Sequence, residues 1–319
     1  MLSAQRLELL AQLRAYMLGN DPYWQAAKEQ AFMKNAWFIP PFIELAVHNI
    51  ATHLLDQEAL ARLVSTYRFD QASASKTVGV IMPGNIPLGG FCDFCSVFLS
   101  GHKQRVRLSP KDDVLFRHLT GYMMSLDKAA SDQISFEEML KGCDAYLAMG
   151  AAVPGPMEQY FSKYPSIIRR PARTSAILDG TETRAQLELL ADDVFQYFGQ
   201  GYLNITKIYV PRGYDFIPLL KAFDRYQHLA DHNKYKNNYD YQLSLLILNK
   251  EFYMTNGCIL LTENKGRSAP VGRLYFEYYN GKEEVLHDND RVAAAPFGQG
   301  QLSVLCEDGS RTLQFLRDL

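Results

Sequence analysis

The spacing of apolar residues changes twice along the chain. Leu7, Leu10, Leu13 and Met17 recur at helical spacing, and a second helical stretch over Phe42–Leu55 follows the Pro40–Pro41 break. Roughly the first 70 residues are therefore expected to be helical. Short apolar runs then alternate with helical ones. TVGVIM precedes a helix from about Leu88, AYLAMG one from about Pro156, TSAILDG one from about Thr183, and ITKIYVP one from about Tyr214. Strands alternating with helices predict an α/β fold with a largely parallel sheet. The unbroken apolar run VGVIM predicts a strand buried on both faces. In the last third, GCILLTE, RLYFEYY and QLSVLCE read as strands with fewer helices between them.

One helix is legible in detail. Thr183 and Gln186 have capping-box spacing, and Leu187, Leu190, Ala191, Val194, Phe195 and Phe198 follow on one face. Gly199 is then the expected residue just past the helix end. The chain turns through Gly199-Gln200-Gly201-Tyr202 into the strand at Ile205–Val210. A turn pinned between a capped helix and a buried strand is a favoured place for a site.

Composition narrows the class. The chain has 319 residues, 47% of them hydrophobic and 21% charged, with a net charge of −2. It is long enough for two domains. The near-neutral charge excludes a global basic field for nucleic acid. No run of ~18 apolar residues predicts a membrane span, and the amphipathic N-terminus is unlike a signal peptide. Five scattered cysteines suit free thiols in a reducing compartment, so a cytoplasmic setting is expected.

Four segments could carry chemistry. In PGNIPLGGF, Pro83 to Phe91, a stiff turn presents Asn85 at the carboxyl end of a strand, where open α/β sheets bind ligands. Its amide could donate to a developing oxyanion, or simply satisfy its own turn. Gly84 and Gly89 are spaced like a P-loop, but no Gly-Lys-Ser/Thr follows. In GHKQRVRLSPKD, Lys103, Arg105 and Arg107 make one strand face basic, which suits either a phosphate or a solvated edge strand. Cys92 and Cys95 form one C-x-x-C inside an apolar run, which reads as core rather than metal site; no metal is expected. HNKYKNNYDYQ, His232 to Gln242, could line a polar pocket, form an interface rich in aromatic hydrogen-bonders, or be a solvated loop before a helix. Nucleophile-elbow, zincin, EF-hand and Gly-x-Gly-x-x-Gly signatures are all missing.

Taken in order, these segments resemble a family. Pro-Gly-Asn-Ile-Pro follows a strand, a basic strand ends in Ser-Pro-Lys-Asp, and Gly150 follows another strand. Then come Phe-Gly-Gln-Gly at a helix end, Asn-Lys-Tyr-x-Asn-Asn-Tyr-Asp-Tyr, Pro-Val-Gly-x-Leu-Tyr-x-Glu-Tyr-Tyr, and Pro-Phe-Gly-Gln near the C-terminus. From about residue 75 onward the chain is similar to the acyl-CoA reductases related to the fatty-acid reductase of bacterial luminescence, a compact branch of the aldehyde dehydrogenase superfamily. The resemblance implies a nucleotide-binding Rossmann-type α/β domain over 1–184 with the N-terminal helices, and a smaller α/β catalytic domain over 185–295. Residues 296–319 would return as a strand to the first domain or to an interface. It also allows a homodimer.

The implied reaction is NADPH-dependent reduction of a fatty acyl-CoA thioester to an aldehyde through a cysteine thiolate. By the same resemblance Asn85 stabilises the oxyanion. Pro83, Gly84, Arg105, Arg107 and Gly150 touch the cofactor, with Arg107 suited to the 2′-phosphate of NADP. Ala151 stands where the superfamily has Ser after that glycine. Gln200, Gly201 and Phe297 line the pocket. The sharp departure is Tyr202, which occupies the place of the nucleophilic cysteine. A phenol has a pKa of about 10, against about 8.5 for a thiol, so it offers little anion near neutrality. A rescuing nucleophile would have to be distant, such as Cys258 or Cys95. TSAILDGTE also lacks the Glu that activates the deacylating water in oxidising members, as a reductase would. Two main readings follow: a reductase with a substituted nucleophile, and a catalytically silent relative that binds nucleotide or acyl groups. A thioester-binding or transferase-like role without hydride transfer is a third.

Overall fold

A computed structural model describes residues 1–69, 75–149, 155–169, 174–201, 203–281, 283, 285, 291–293, 297–298 and 311–319. The chain divides into two compact units: Met1–Pro171 with Leu302–Leu319, and Ala172–Gln301.

The first unit begins with four helices, α1 (Ser3–Leu18), α2 (Pro22–Lys34), α3 (Pro40–Asn49) and α4 (Gln57–Tyr67), where the helical period predicts them. Leu10, Leu13 and Trp24 are fully buried in its core. Then β1 (Thr77–Ile81), α5 (Phe91–Ser100), β2 (Lys103–Arg107), α6 (Val114–Leu126), α7 (Lys128–Ser131) and β3 (Ile134–Phe136) follow. After them come β4 (Ala145–Met149), α8 (Gly155–Phe161) and β5 (Ser166–Arg169). The sheet order is β3-β2-β1-β4-β5, and every pairing is parallel. From β1 the chain winds outward to β3, then crosses back to β4. The carboxyl ends of β1 and β4 therefore form the topological switch point, where such sheets bind ligands.

Helix α5 is buried on all sides, as its apolar run requires. Its one charge, Asp93, takes both oxygens to the Arg169 guanidinium at 2.7 Å, and Arg169 also donates to Thr312. Residues 311–317 are helical and seat on this unit. There the His102 Nε2 donates to the Leu316 carbonyl at 2.8 Å, while its Nδ1 accepts the Lys76 amide at 3.1 Å. QLSVLCE lies outside the described residues.

The second unit contains β6 (Thr174–Ile177), α9 (Arg184–Phe195), β7 (Ile205–Pro211), α10 (Phe216–Phe223) and α11 (Asn233–Asn249). The strands β8 (Met254–Thr255), β9 (Leu260–Glu263), β10 (Arg273–Tyr279) and β11 (Arg291–Ala293) complete it. Its sheet runs β11-β6-β7-β10-β9-β8, parallel except for the β8–β9 pair. Because β6 pairs with β7, residues 174–184 cluster with this unit and not with the N-terminal one. Aromatic contacts fill one side: Phe195 meets Phe223 edge-on at 5.2 Å, and Phe216 lies 4.7 Å from Phe276.

Candidate functional site

In the first unit the candidate site is the turn that leaves β1. The Met82 amide still donates to the Arg107 carbonyl, so the ladder with β2 runs one residue past the strand. Pro83 is buried and Asn85 half-buried. Gly84 must be glycine: a Cβ there would stand 2.1 Å from Ser109 Oγ and 2.6 Å from Ser109 Cβ. Leu88 adopts a left-handed conformation (φ 55°) and donates its amide to Asp112 Oδ2 at 2.7 Å. Asp112 is buried, and burial pushes its carboxyl up to about 8.

The basic alternation of β2 is observed, with Gln104 and Val106 buried between Lys103, Arg105 and Arg107. The strand is not an edge, however, because the short β3 covers it. Arg105 pairs with Glu137 at 3.3 Å and donates to the Lys141 carbonyl at 2.9 Å. Arg107 opens onto a cleft of about 550 Å³ at the carboxyl ends of β2 and β3, shared with Ser109, Arg117, Glu137 and Glu138. The Arg117 guanidinium lies 4.9 Å from the centre of the Phe136 ring. Gly150, the expected second cofactor turn, lies outside the described residues.

In the second unit the candidate is the turn between α9 and β7. The capping box is present: Thr183 Oγ1 accepts the Gln186 amide, and Gln186 Oε1 accepts the Thr183 amide at 2.8 Å. The helix stops earlier than its apolar face suggests. α9 ends at Phe195, and Tyr197 (φ 55°), Phe198 (φ 57°) and Gly199 (φ 71°) form a left-handed run. Tyr197 and Phe198 are both buried, which offsets a backbone cost of about 1–2 kcal/mol per left-handed non-glycine residue.

Asn204 holds this turn together. Its side-chain Nδ2 donates to the carbonyls of Asp193 at 2.8 Å and Gln196 at 3.1 Å, and more loosely to that of Val194 at 3.4 Å. Its Oδ1 accepts the Gly201 amide at 2.5 Å. One buried side chain thus ends the helix and fixes the backbone beside Gln200 and Gly201. Asp193 adds a brace, accepting the Gly298 amide at 2.6 Å next to the buried Phe297. Tyr202 itself lies outside the described residues.

Sequence patterning missed Asn204, Asp193 and Asp112. The available signal was a polar residue inside or against an apolar run: Asn204 in LNITKIYV, where only a sequon is apparent, and Asp193 within α9. HNKYKNNYDYQ proves to be the first turns of α11, with His232 as its cap, and not a loop. Its buried tyrosines tie the unit together: Tyr235 donates to the Cys258 carbonyl at 3.1 Å, and the Tyr239 hydroxyl meets Thr255 Oγ1 at 2.9 Å.

The described thiols are core, as the apolar runs around them predict. Cys92, Cys95, Cys143 and Cys258 are all buried, and none of the four is in a disulfide. Burial raises the Cys95 thiol far above its usual range and the Cys258 thiol to about 12. The Cys258 Sγ donates to the Tyr226 carbonyl at 3.3 Å. Neither Cys95 nor Cys258 can serve as a distant nucleophile in this state. Cys306 lies outside the described residues. Among the described residues no cluster of His, Cys, Asp or Glu gathers at metal-ligand spacing, and no helix is long and apolar enough to cross a membrane.

No family model and no curated protein matches the chain. Solved structures do. It is similar to an aldehyde dehydrogenase from Mycobacterium tuberculosis in complex with NAD+, at 11% identity and a TM-score of 0.68, covering 95% of this chain and 76% of that one. The chain has the aldehyde dehydrogenase fold. Aldehyde dehydrogenase 21 from Physcomitrella patens, in complex with the reaction product succinate, gives 10% identity and a TM-score of 0.67, over 92% and 72% of the two chains. A variant of 1-pyrroline-5-carboxylate dehydrogenase from Thermus thermophilus gives 12% and 0.61, over 98% and 72%. Within this fold the first unit is the Rossmann-type unit and the second the smaller α/β unit.

Proposed function

We propose that this chain is a silent relative of the acyl-CoA reductases: it binds NADPH and a fatty acyl thioester but does not form the acyl–cysteine bond. The carrying observation is the state of its sulfur. Tyr202 stands at the expected nucleophile position, and every described thiol is buried, with those of Cys95, Cys143 and Cys258 held protonated by burial.

The residues of the first unit fit a dinucleotide. The Pro83–Asn85 turn stands at the switch point, with Gly84 keeping its backbone low against Ser109. Arg107, Ser109 and Arg117 give the β2–β3 cleft donors for a phosphate, and the nearby charge of Glu137 is met by Arg105. Arg107 favours NADPH over NADH, because its planar guanidinium suits the 2′-phosphate. When bound, the cofactor supplies a hydride; what the chain lacks is the acyl acceptor.

The test follows NADPH binding by fluorescence and NADPH oxidation with acyl-CoAs of several chain lengths. The native protein should bind NADPH without acyl-CoA-dependent oxidation, and the Tyr202→Cys variant should gain turnover. Thiol labelling adds a second check: Cys92, Cys95, Cys143 and Cys258 should resist an aromatic disulfide reagent until the protein is unfolded. Turnover by the native protein would favour the second reading, an active NADPH-dependent acyl-CoA reductase with another nucleophile, to which the retained Pro83–Asn85 turn lends support.

A further inference from the structure

We propose that Asp112 is the positioning residue of the Asn85 turn, and that its proton makes dinucleotide binding at the switch point depend on pH. The claim about binding rests on the cofactor reading above; the claim about the turn does not.

The geometry is a relay of contacts from the surface inward. On α2, Lys34 Nζ donates to Asp113 Oδ1 at 2.6 Å, and Asn35 Nδ2 donates to the Lys111 carbonyl at 3.2 Å. These hold the loop after β2. The loop closes on itself, with the Asp112 amide donating to the Ser109 carbonyl at 3.0 Å. It then presses on the Asn85 turn at two points: Ser109 against Gly84, and the Asp112 carboxyl against the amides of Leu88 and Gly89. Leu88 is held in a left-handed conformation that an L side chain avoids without restraint. The Asp112 Oδ2 contact at 2.7 Å is the restraint on its amide.

Asp112 is 2% exposed. Among the described residues no cation forms an ion pair with its carboxyl. Asp113, itself engaged by Lys34, also raises it. The turn presents the backbone amides of Leu88 and Gly89 to it. Near neutrality the carboxyl is therefore mostly a neutral acid that accepts the Leu88 amide through its oxygen. Above about pH 8 it becomes a buried anion behind the mouth of the crevice. That charge repels ligand phosphates and is disfavoured by burial, although the Leu88 and Gly89 amides favour it.

The sign of the stability effect follows. The folded value, about 8, lies above the unfolded value of about 4. The protonated form's share of stability is complete below about pH 4 and is lost as pH rises through 8. Asn at this position keeps the acceptor oxygen and removes the proton.

The experiment uses the full chain as native protein, Asp112→Asn and Asp112→Ala. NADPH is titrated by fluorescence at pH 7 and pH 9, and urea midpoints are followed from pH 5 to pH 9. The native affinity should weaken by up to about tenfold between pH 7 and 9, the equivalent of one pKa unit at most. Asp112→Asn should change by less than about twofold, and its urea midpoint should gain on the native one up to about pH 8 and then hold level. Asp112→Ala, lacking the acceptor, should bind more weakly than Asp112→Asn at both pH values. If native and Asp112→Asn share one pH profile for the urea midpoint, the proposal is overturned. If native and Asp112→Asn both fail to bind NADPH, the cofactor reading falls, and the urea profiles still decide the role of Asp112.

Discussion

The candidate turns of the two units solve one problem with different chemistry. The turn after β1 is built from proline and glycine and is held from outside, by a loop that follows another strand. Its key contact is the carboxyl of Asp112 on the Leu88 amide. The turn after α9 is built from bulky aromatics in left-handed conformations, with Gly199 only at its end. It is held from within, by the amide of Asn204, two residues past position 202. A carboxyl can gain or lose a proton near neutrality when buried, whereas an amide cannot. The Asp112 contact of the first turn is therefore sensitive to pH, and the Asn204 contacts of the second are not.

Substitutions can break this contrast at either end. The largest effect is expected from Asn204→Ala. It strands the Gly201 amide and the carbonyls at the end of α9, and one unsatisfied buried group costs about 1–3 kcal/mol. Since the groups share one side chain and some regain water, we expect a loss of about 3–4 kcal/mol by urea unfolding, equal at pH 6 and pH 9. A pH-dependent loss would erase the distinction between the turns.

Gly84→Ala comes next. The new Cβ meets Ser109 Oγ at 2.1 Å, and overpacking of this kind costs about 1–3 kcal/mol. The double variant Gly84→Ala with Ser109→Gly should recover most of that stability. Full additivity of the two changes would mean that Ser109 is not what restrains the turn.

The smallest effect belongs to Arg105→Ala. Arg105 and Glu137 are each about a third exposed, at 38% and 34%, so the pair contributes less than about 1 kcal/mol. Stability should hardly move, while NADPH affinity should fall modestly, because Glu137 then faces the β2–β3 cleft without its partner. Unchanged affinity would remove Arg105 from the cofactor residues.

Different parts of this arrangement are visible at different levels. The helical start, the strands TVGVIM, AYLAMG and ITKIYVP, and the Thr183–Gln186 cap all read directly from the chain, because burial imposes its period on residues close in sequence. The early end of α9 does not. Phe198 continues the apolar stripe, but Asn204, just before the next strand, captures the carbonyls that further helix would need. The status of β2 is equally illegible. Its alternation predicts one wet face, and only the pairing with β3, across an intervening helix pair, shows that it lies inside the sheet.

By itself the sequence determined the class of fold, the order of its motifs and the chemistry available at each position. Those are properties of composition and of spacing along one element. The tertiary structure alone decided that Asp112 reaches back to Leu88, that Asn204 closes α9, and that the described thiols are sealed from water. Each of these depends on groups distant in sequence meeting at hydrogen-bond range or excluding solvent together. Local pattern carries no record of which polar residue will find which partner.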